Sequence, residues 1–313
     1  MKVISLFSGA GGLDLGLIQA GNTVIWANDI DKDAVATYEK NIGAHIICDD
    51  IKNIDISALP TADVVVGGFP CQGFSQANRL RTLDDERNQL YRFFYTTIKK
   101  KKPKYFIAEN VKGILSLGNG QAIKQIISDF EEAGYTTSIN PVNMADFGIP
   151  QTRQRVFIIG QNNDLGSVQR FVFPKATHSK TEKDGLKQWV SIKKAIGHFP
   201  DPDLNNTVLN HTYSAYKVEY RNFTGHRKTD PDKPSPTILA RGNGKGGVCA
   251  IPHYNGRRRL TIRESASIQT FPETFFFCGT MNSCYRQIGN AVPVKFAKLL
   301  GDELIRLEKE ENL

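Results

Sequence analysis

The spacing of apolar positions divides the chain into three stretches. From residue 1 to about 160, short runs rich in β-branched and aromatic residues alternate with longer segments of helical period. Val3–Phe7, Thr23–Asn28, His45–Cys48, Val64–Gly67, Tyr105–Asn110, Thr136–Asn143 and Val156–Gly160 read as strands. Leu13–Ala20, Ala34–Asn41, Arg87–Lys101 and Gln121–Ala133 read as helices between them. This alternation predicts an α/β fold with a doubly wound, mostly parallel sheet, because each parallel step needs a crossover and a helix supplies it. From 161 to 256 both periods fade, and the stretch holds seven of the 14 prolines and five of the six histidines. Regular structure returns in RRRLTIRESASIQTFP, where Thr261 and Glu264 have the spacing of a capping box and Pro272 is expected to stop the helix. A last helix is expected from about Val294 to Glu308.

Length fits this division. A chain of 313 residues exceeds the usual limit of one core, so the expected plan is a large domain (1–160), a smaller loop-rich module (161–258) and a C-terminal segment (259–313) that returns to the first domain. Charge concentrates in the module: residues 161–256 carry 14 Lys and Arg against 8 Asp and Glu, most of the net +8 of the whole chain. That favours a polyanionic partner, although an ordinary soluble enzyme also tolerates it. The run Lys99–Lys102 is expected to be a solvated helix end, where cations suit the dipole. Five cysteines, at 48, 71, 249, 278 and 284, with no C-x-x-C pair, argue against a disulfide framework or a zinc site and fit a reducing, cytoplasmic setting. No apolar stretch approaches the roughly eighteen residues of a membrane-spanning helix, so no membrane partner is expected. The opening MKVISLFSGAGG runs directly into a glycine loop and reads as a first strand, not a leader.

Candidate chemistry gathers at the strand ends, where open parallel sheets bind ligands. Strand one ends in Phe7-Ser8-Gly9-Ala10-Gly11-Gly12, strand two in Asp29, strand three in Asp49-Asp50, strand four in Pro70-Cys71 and strand five in Glu109-Asn110. Free cysteine is usually a small buried hydrophobe, but Cys71 is flanked by the turn formers Gly, Pro, Gln, Gly and Ser, which sets it at an edge. FSGAGG lacks the full G-x-G-x-x-G spacing of a dinucleotide site. Asp29 has two readings: acceptor for a ribose diol, or cap of the helix that follows. One glycine loop and two acids suit a nucleoside carrying a positive charge, such as S-adenosyl-L-methionine, better than a pyrophosphate.

Six blocks, FSGAGGLDLG, GGFPCQGFS, ENVKG, QTRQR, RLTIRESASIQTFP and QIGNAVPV, resemble in order and spacing the motifs of the DNA (cytosine-5)-methyltransferases, in particular the bacterial enzymes of restriction-modification systems. The resemblance covers nearly the whole chain and implies a Rossmann-like S-adenosylmethionine-dependent methyltransferase fold, with S-adenosyl-L-homocysteine as the product. It makes Cys71 the nucleophile that adds to carbon 6 of cytosine. Glu109 becomes the acid that holds ring nitrogen 3 and the exocyclic amine. Alternation along QTRQR sets Gln151, Arg153 and Arg155 on one face; the resemblance has Arg155 contact the target base and Arg153 support the site or the phosphates. The cofactor contacts it implies are Phe7, Gly9, Gly11, Gly12, Asp29, Ile30, Asp50, Ile51, Pro70, Leu90, Asn290 and Val292. Many relatives have Gly where Asp49 stands, which leaves open which of Asp49 and Asp50 faces adenine.

The substrate implied is a cytosine rotated out of double-stranded DNA, since carbon 6 is inaccessible in the stack; methyltransferases are a standard case of base flipping. Residues 72–90, with Gln72, Ser75 and Arg87, would close over it as a lid and touch phosphates. In the module, expected to recognise the target, SPTILARGNGKGG resembles the family's Thr-aliphatic core and glycine-rich loop. Thr237, Arg241 and Lys245 are candidate DNA contacts, and Arg257, Arg258 and Arg259 are expected on the phosphate backbone. A monomer working beside a restriction endonuclease is the expected setting. Three rivals stand against this reading: a tRNA cytosine-5 methyltransferase, a catalytically silent DNA-binding protein, and a dehydrogenase, which the loop spacing disfavours.

Overall fold

Seven strands form one sheet in the order β3-β2-β1-β4-β5-β7-β6: β1 (Lys2–Leu6), β2 (Thr23–Asp29), β3 (Ile46–Cys48), β4 (Val64–Gly67), β5 (Tyr105–Val111), β6 (Tyr135–Asn143) and β7 (Gln154–Asn162). The structure, a computed structural model, describes residues 1–69, 89–166, 170–182, 185–204, 207–214, 229–240, 251–256 and 258–311. The strand period of two divides each run between two cores. Val3, Val64, Val66, Tyr105 and Ile107 face one layer, while Ile4, Leu6, Val65, Phe106 and Ala108 face the other. Both faces are apolar because helices cover both, as the near-continuous valine run of β4 requires.

The first layer is closed by α1 (Gly12–Gln19), α2 (Lys32–Asn41) and α8 (Val294–Glu311), the second by α3 (Gln89–Lys101) and α4 (Gln121–Glu132). Strands β1 to β5 are parallel, whereas β7 runs antiparallel to both β5 and β6. The reversal is possible because β6 and β7 are joined by a short segment around Met144–Phe147 and not by a crossover helix. It carries the start of β7, with Arg155, beside the end of β5.

A third core joins the loop-rich stretch to the C-terminal segment: Ile192 and Ile196 of α5 (Ile192–Ile196) and Ile238 pack with Leu260, residues of α6 (Ile262–Ile268) and α7 (Met281–Asn290), and Val294. The capping box at Thr261 and Glu264 is formed as the spacing predicts. The helix, however, ends at Ile268 and not at Pro272, because Thr270 adopts a left-handed backbone (φ 62°) that cannot continue it. The lysine run does end α3, though Lys101 is not merely solvated: its Nζ donates to the Ser57 and Leu59 carbonyls. Among the described residues no helix is long and apolar enough to cross a membrane.

Candidate active site

The strand order reverses between β1 and β4, and there a cavity of about 490 Å³ opens at their carboxyl ends. This is the topological switch point at which doubly wound sheets hold ligands. One wall is the turn after β1. Phe7 (φ 57°) and Gly9 (φ 56°) take left-handed backbone there, a strained choice for phenylalanine, and the turn is tied down on both sides. Ser8 N–H donates to the Asn28 carbonyl, and Gly9 N–H donates to Asp29 Oδ2 at 2.7 Å. A Cβ at Gly9 would meet nothing within 4 Å, so the turn presents bare backbone to the cavity.

Asp29 Oδ1 also accepts from Asp31 N–H at 2.9 Å, and burial raises its pKa. The alternative reading of Asp29 as helix cap is corrected: Asp31 caps α2 through Asp33 N–H, which leaves Asp29 at the cavity. Ile30 beside it is 65% exposed at the rim.

The opposite wall comes from β4, β5 and β7. Gly67, Gly68 and Phe69 pass under Glu109, and the Phe69 carbonyl accepts from Asn110 Nδ2 at 2.9 Å. A Cβ at Gly68 would sit 3.0 Å from Glu109 Oε2, so glycine gives the carboxylate its place. Arg155 Nε lies 2.7 Å from Glu109 Oε1, an ion pair whose direction leaves that oxygen without a hydrogen bond among the described residues.

Arg153 reaches the same cavity but is only 1% exposed. Its Nη1 donates to the Ile238 carbonyl (3.1 Å) and its Nη2 to the Gly289 carbonyl (2.9 Å), and burial pulls its pKa down to about 9. It therefore braces two distant segments and offers no free face to a phosphate. Gln151, fully buried, does the same: it donates to Gln269 Oε1 and accepts from Ile238 N–H.

Asn290, Ala291 and Val292 close the third side. A Cβ on Gly12 would stand 2.5 Å from the Val292 carbonyl, so only glycine lets α1 approach this segment. Leu90 of α3 completes the lining.

The cavity thus brings together Phe7, Gly9, Gly12, Asp29, Ile30, Leu90, Glu109, Arg153, Arg155, Asn290 and Val292. Three proposed cofactor contacts are not part of its wall. Gly11 (φ 83°) turns towards Tyr38 and Ile42; Asp50 caps the turn Ile51–Asn53 by accepting from Lys52 N–H; Ile51 is buried in the second core. Thr237 donates to the Thr152 carbonyl, which fastens the segment before residue 241 to the entry of β7. Pro70, Cys71, Gln72, Ser75, Arg87, Arg241, Lys245 and Arg257 lie outside the described residues.

Arg258 and Arg259, expected on DNA phosphates, are corrected: both are buried. Arg258 pairs with Glu264 through two 2.7 Å bonds, and Arg259 stacks 3.9 Å over the Tyr285 ring. The sequence reading also missed Asp14, which lines the cavity while fully buried. Its Oδ1 accepts from Ser5 Oγ (2.7 Å) and its Oδ2 from Tyr38 OH (2.8 Å); Ser8 Oγ donates in turn to Ser5 Oγ. An acid in the first turn of a helix usually serves the dipole. Its place immediately after the glycine loop was the only signal of another role.

The family model for C-5 cytosine-specific DNA methylases matches residues 1–306. The chain is 41% identical to the Type II methyltransferase M.NgoFVII of Neisseria gonorrhoeae, the alignment covering 100% of this chain and 90% of the relative. It is 39% identical to the Type II methyltransferase M.FnuDI of Fusobacterium nucleatum, covering 97% and 94%. Among solved structures, one described as a DNA modification methyltransferase encoded within an E. coli prophage superposes with a TM-score of 0.75 at 25% identity, over 99% of both chains. The S. pombe Dnmt2 methyltransferase superposes at 0.71 with 21% identity, over 98% and 99%, a likeness of fold.

Proposed function

The chain belongs to the C-5 cytosine-specific DNA methylases, and from that membership we propose that it methylates carbon 5 of a cytosine flipped out of double-stranded DNA, through a covalent bond from Cys71. The observation that carries the site assignment is the cavity at the β1/β4 switch with the Glu109–Arg155 pair on its wall. Cys71 follows Phe69 of that wall by two residues, a reach of at most about 7 Å of chain.

S-adenosyl-L-methionine fits this cavity by its donor set: Gly9 gives an open backbone approach, and Asp14 and Asp29 give two carboxylates that no cation pairs among the described residues. When bound, it supplies an electrophilic methyl group. Asp29 would accept from the ribose hydroxyls, Ile30 and Phe7 would flank the adenine, and Gly12, Leu90, Asn290 and Val292 would enclose the remainder. Gly11, Asp50 and Ile51 would act at one remove, by shaping the turns.

On the base, the Cys71 thiolate forms a bond to carbon 6 while Glu109, in its protonated form, supplies a proton at ring nitrogen 3. The carbon 4–carbon 5 region then becomes an enamine, whose carbon 5 takes the methyl group. Water or hydroxide removes the hydrogen from carbon 5, the carbon–hydrogen electrons re-form the 5–6 double bond as the carbon–sulfur electrons leave on Cys71, and ring nitrogen 3 gives its proton back to Glu109. Arg155 orients Glu109 and can reach the base; Arg153 holds that wall together from behind. Gln72, Ser75 and Arg87 would belong to a lid, and Thr237, Arg241, Lys245 and Arg257 to the DNA side of a recognition module spanning 161–258. The 1–160 and 259–313 segments would form the catalytic domain, acting as a monomer in the bacterial cytoplasm beside a restriction endonuclease.

Bisulfite sequencing of DNA from a host expressing the chain tests this. One sequence context should be fully protected with the unmodified chain and unprotected with Cys71→Ser. Methylation that persists in Cys71→Ser, or that appears on tRNA and not on DNA, overturns the reading.

A further inference from the structure

Asp14 is a carboxylate of the cavity wall to which the steps above assign no particular atom of the substrate or methyl donor. It stands in the first turn of α1, and its only direct partners among the described residues are the Ser5 and Tyr38 hydroxyls, with the His45 ring 3.0 Å beyond Tyr38. Among the described residues the basic groups of the same cavity do not pair with Asp14: Arg155 pairs with Glu109, and Arg153 spends its two terminal nitrogens on backbone carbonyls, its buried Nε having no hydrogen-bond partner among those residues. A carboxylate buried without a counter-ion is costly, so a wall that keeps one is matched to a ligand carrying the missing charge.

We propose that Asp14 is a specificity-determining residue whose uncompensated charge makes the cavity favour the sulfonium methyl donor over the neutral thioether left after transfer. This rests on the cofactor reading given above. The two molecules share every hydrogen-bonding group: adenine, ribose diol, ammonium and carboxylate. They differ by one methyl group and one unit of positive charge, so hydrogen bonds to the shared groups cannot separate them and electrostatics can. Burial pushes the Asp14 carboxyl up to about 6, which leaves it ionised at pH 8. Removing one unit charge from the wall, at separations on the order of 10 Å and an effective dielectric of about 20, changes the relative affinity by roughly tenfold.

The test is calorimetric binding at pH 8 of S-adenosyl-L-methionine, S-adenosyl-L-homocysteine and an analogue whose sulfonium is replaced by a protonated amine, to the unmodified chain and to Asp14→Asn. The expected result is a roughly tenfold loss for the two cationic ligands relative to the thioether. Equal weakening of all three would mean that Asp14 only shapes the turn, and would overturn the proposal, as would no change. If the unmodified chain binds none of the three, the cofactor reading itself fails. Should Asp14→Asn not fold, Asp14→Ala with Tyr38→Phe removes the charge together with one of its donors, and the same ratio decides. Tyr38→Phe alone keeps the charge and should keep the ratio.

Discussion

Replacing Asp14 by asparagine changes how folding responds to pH, in a direction and by an amount that follow from its burial. In the folded chain burial raises the Asp14 pKa from 3.8 to about 6, so folding favours the protonated carboxyl. The stability this contributes is fully present below pH 3.8 and is lost as pH rises through about 6. At about 1.36 kcal/mol per pH unit the whole loss is ~3 kcal/mol, of which ~1.4 kcal/mol falls between pH 5 and pH 8. Asparagine has nearly the same shape and cannot ionise. In urea unfolding, the stability of the unmodified chain relative to Asp14→Asn should therefore drop by ~1.4 kcal/mol from pH 5 to pH 8, all other titrating groups being common to both chains. A difference that stays constant across that range would refute the argument, because the carboxyl would then not be paying a burial penalty. Such a penalty is what a cationic ligand would relieve on binding.

Glu109→Gln should lower turnover by about 100-fold or more while the affinity for S-adenosyl-L-methionine stays within a few-fold, since proton delivery is lost and the cofactor side is untouched; titration calorimetry beside single-turnover assays separates the two, and a parallel collapse of cofactor affinity would defeat the assignment. Arg263 is fully buried and donates to the carbonyls of Leu209, Pro272 and Phe275. Arg263→Met leaves all three without that donor and should cost ~3–5 kcal/mol in urea unfolding. A cost below about 1 kcal/mol would show that the guanidinium is not what organises this corner.

The strands and sheet helices were legible because both faces of the sheet are buried, so the runs at β1, β4 and β5 are apolar whichever way they point. The direction of β7 was not: an apolar strand reads the same in either sense, and its reversal depends on the short connection around Met144–Phe147. Asp29 and Glu109 were legible because polar residues directly after apolar runs mark the rim of a sheet in the sequence itself, whereas Asn290, at the end of α7, was reached only through the motif resemblance. The arginines were not. Arg153, Arg258, Arg259 and Arg263 look like surface cations in the sequence, and only carbonyls and carboxylates far along the chain make their burial possible. Arg153 reaches across to residues 238 and 289, a pairing that no local pattern announces.

Gly12, near the start of the chain, meets Val292, near its end, at the cavity rim, and Gly16 is in turn pressed against Ala297 of α8. A ribosome emits the first of these contacts long before the second, and folding during synthesis proceeds from the amino end. The cavity therefore lacks a side, and the first core layer lacks the helix that closes it, until the end of the chain has been made. On the proposed function, a chain truncated before α8 should lose binding of the methyl donor, because α8 holds the segment that closes the cavity against Gly12 and Gly16.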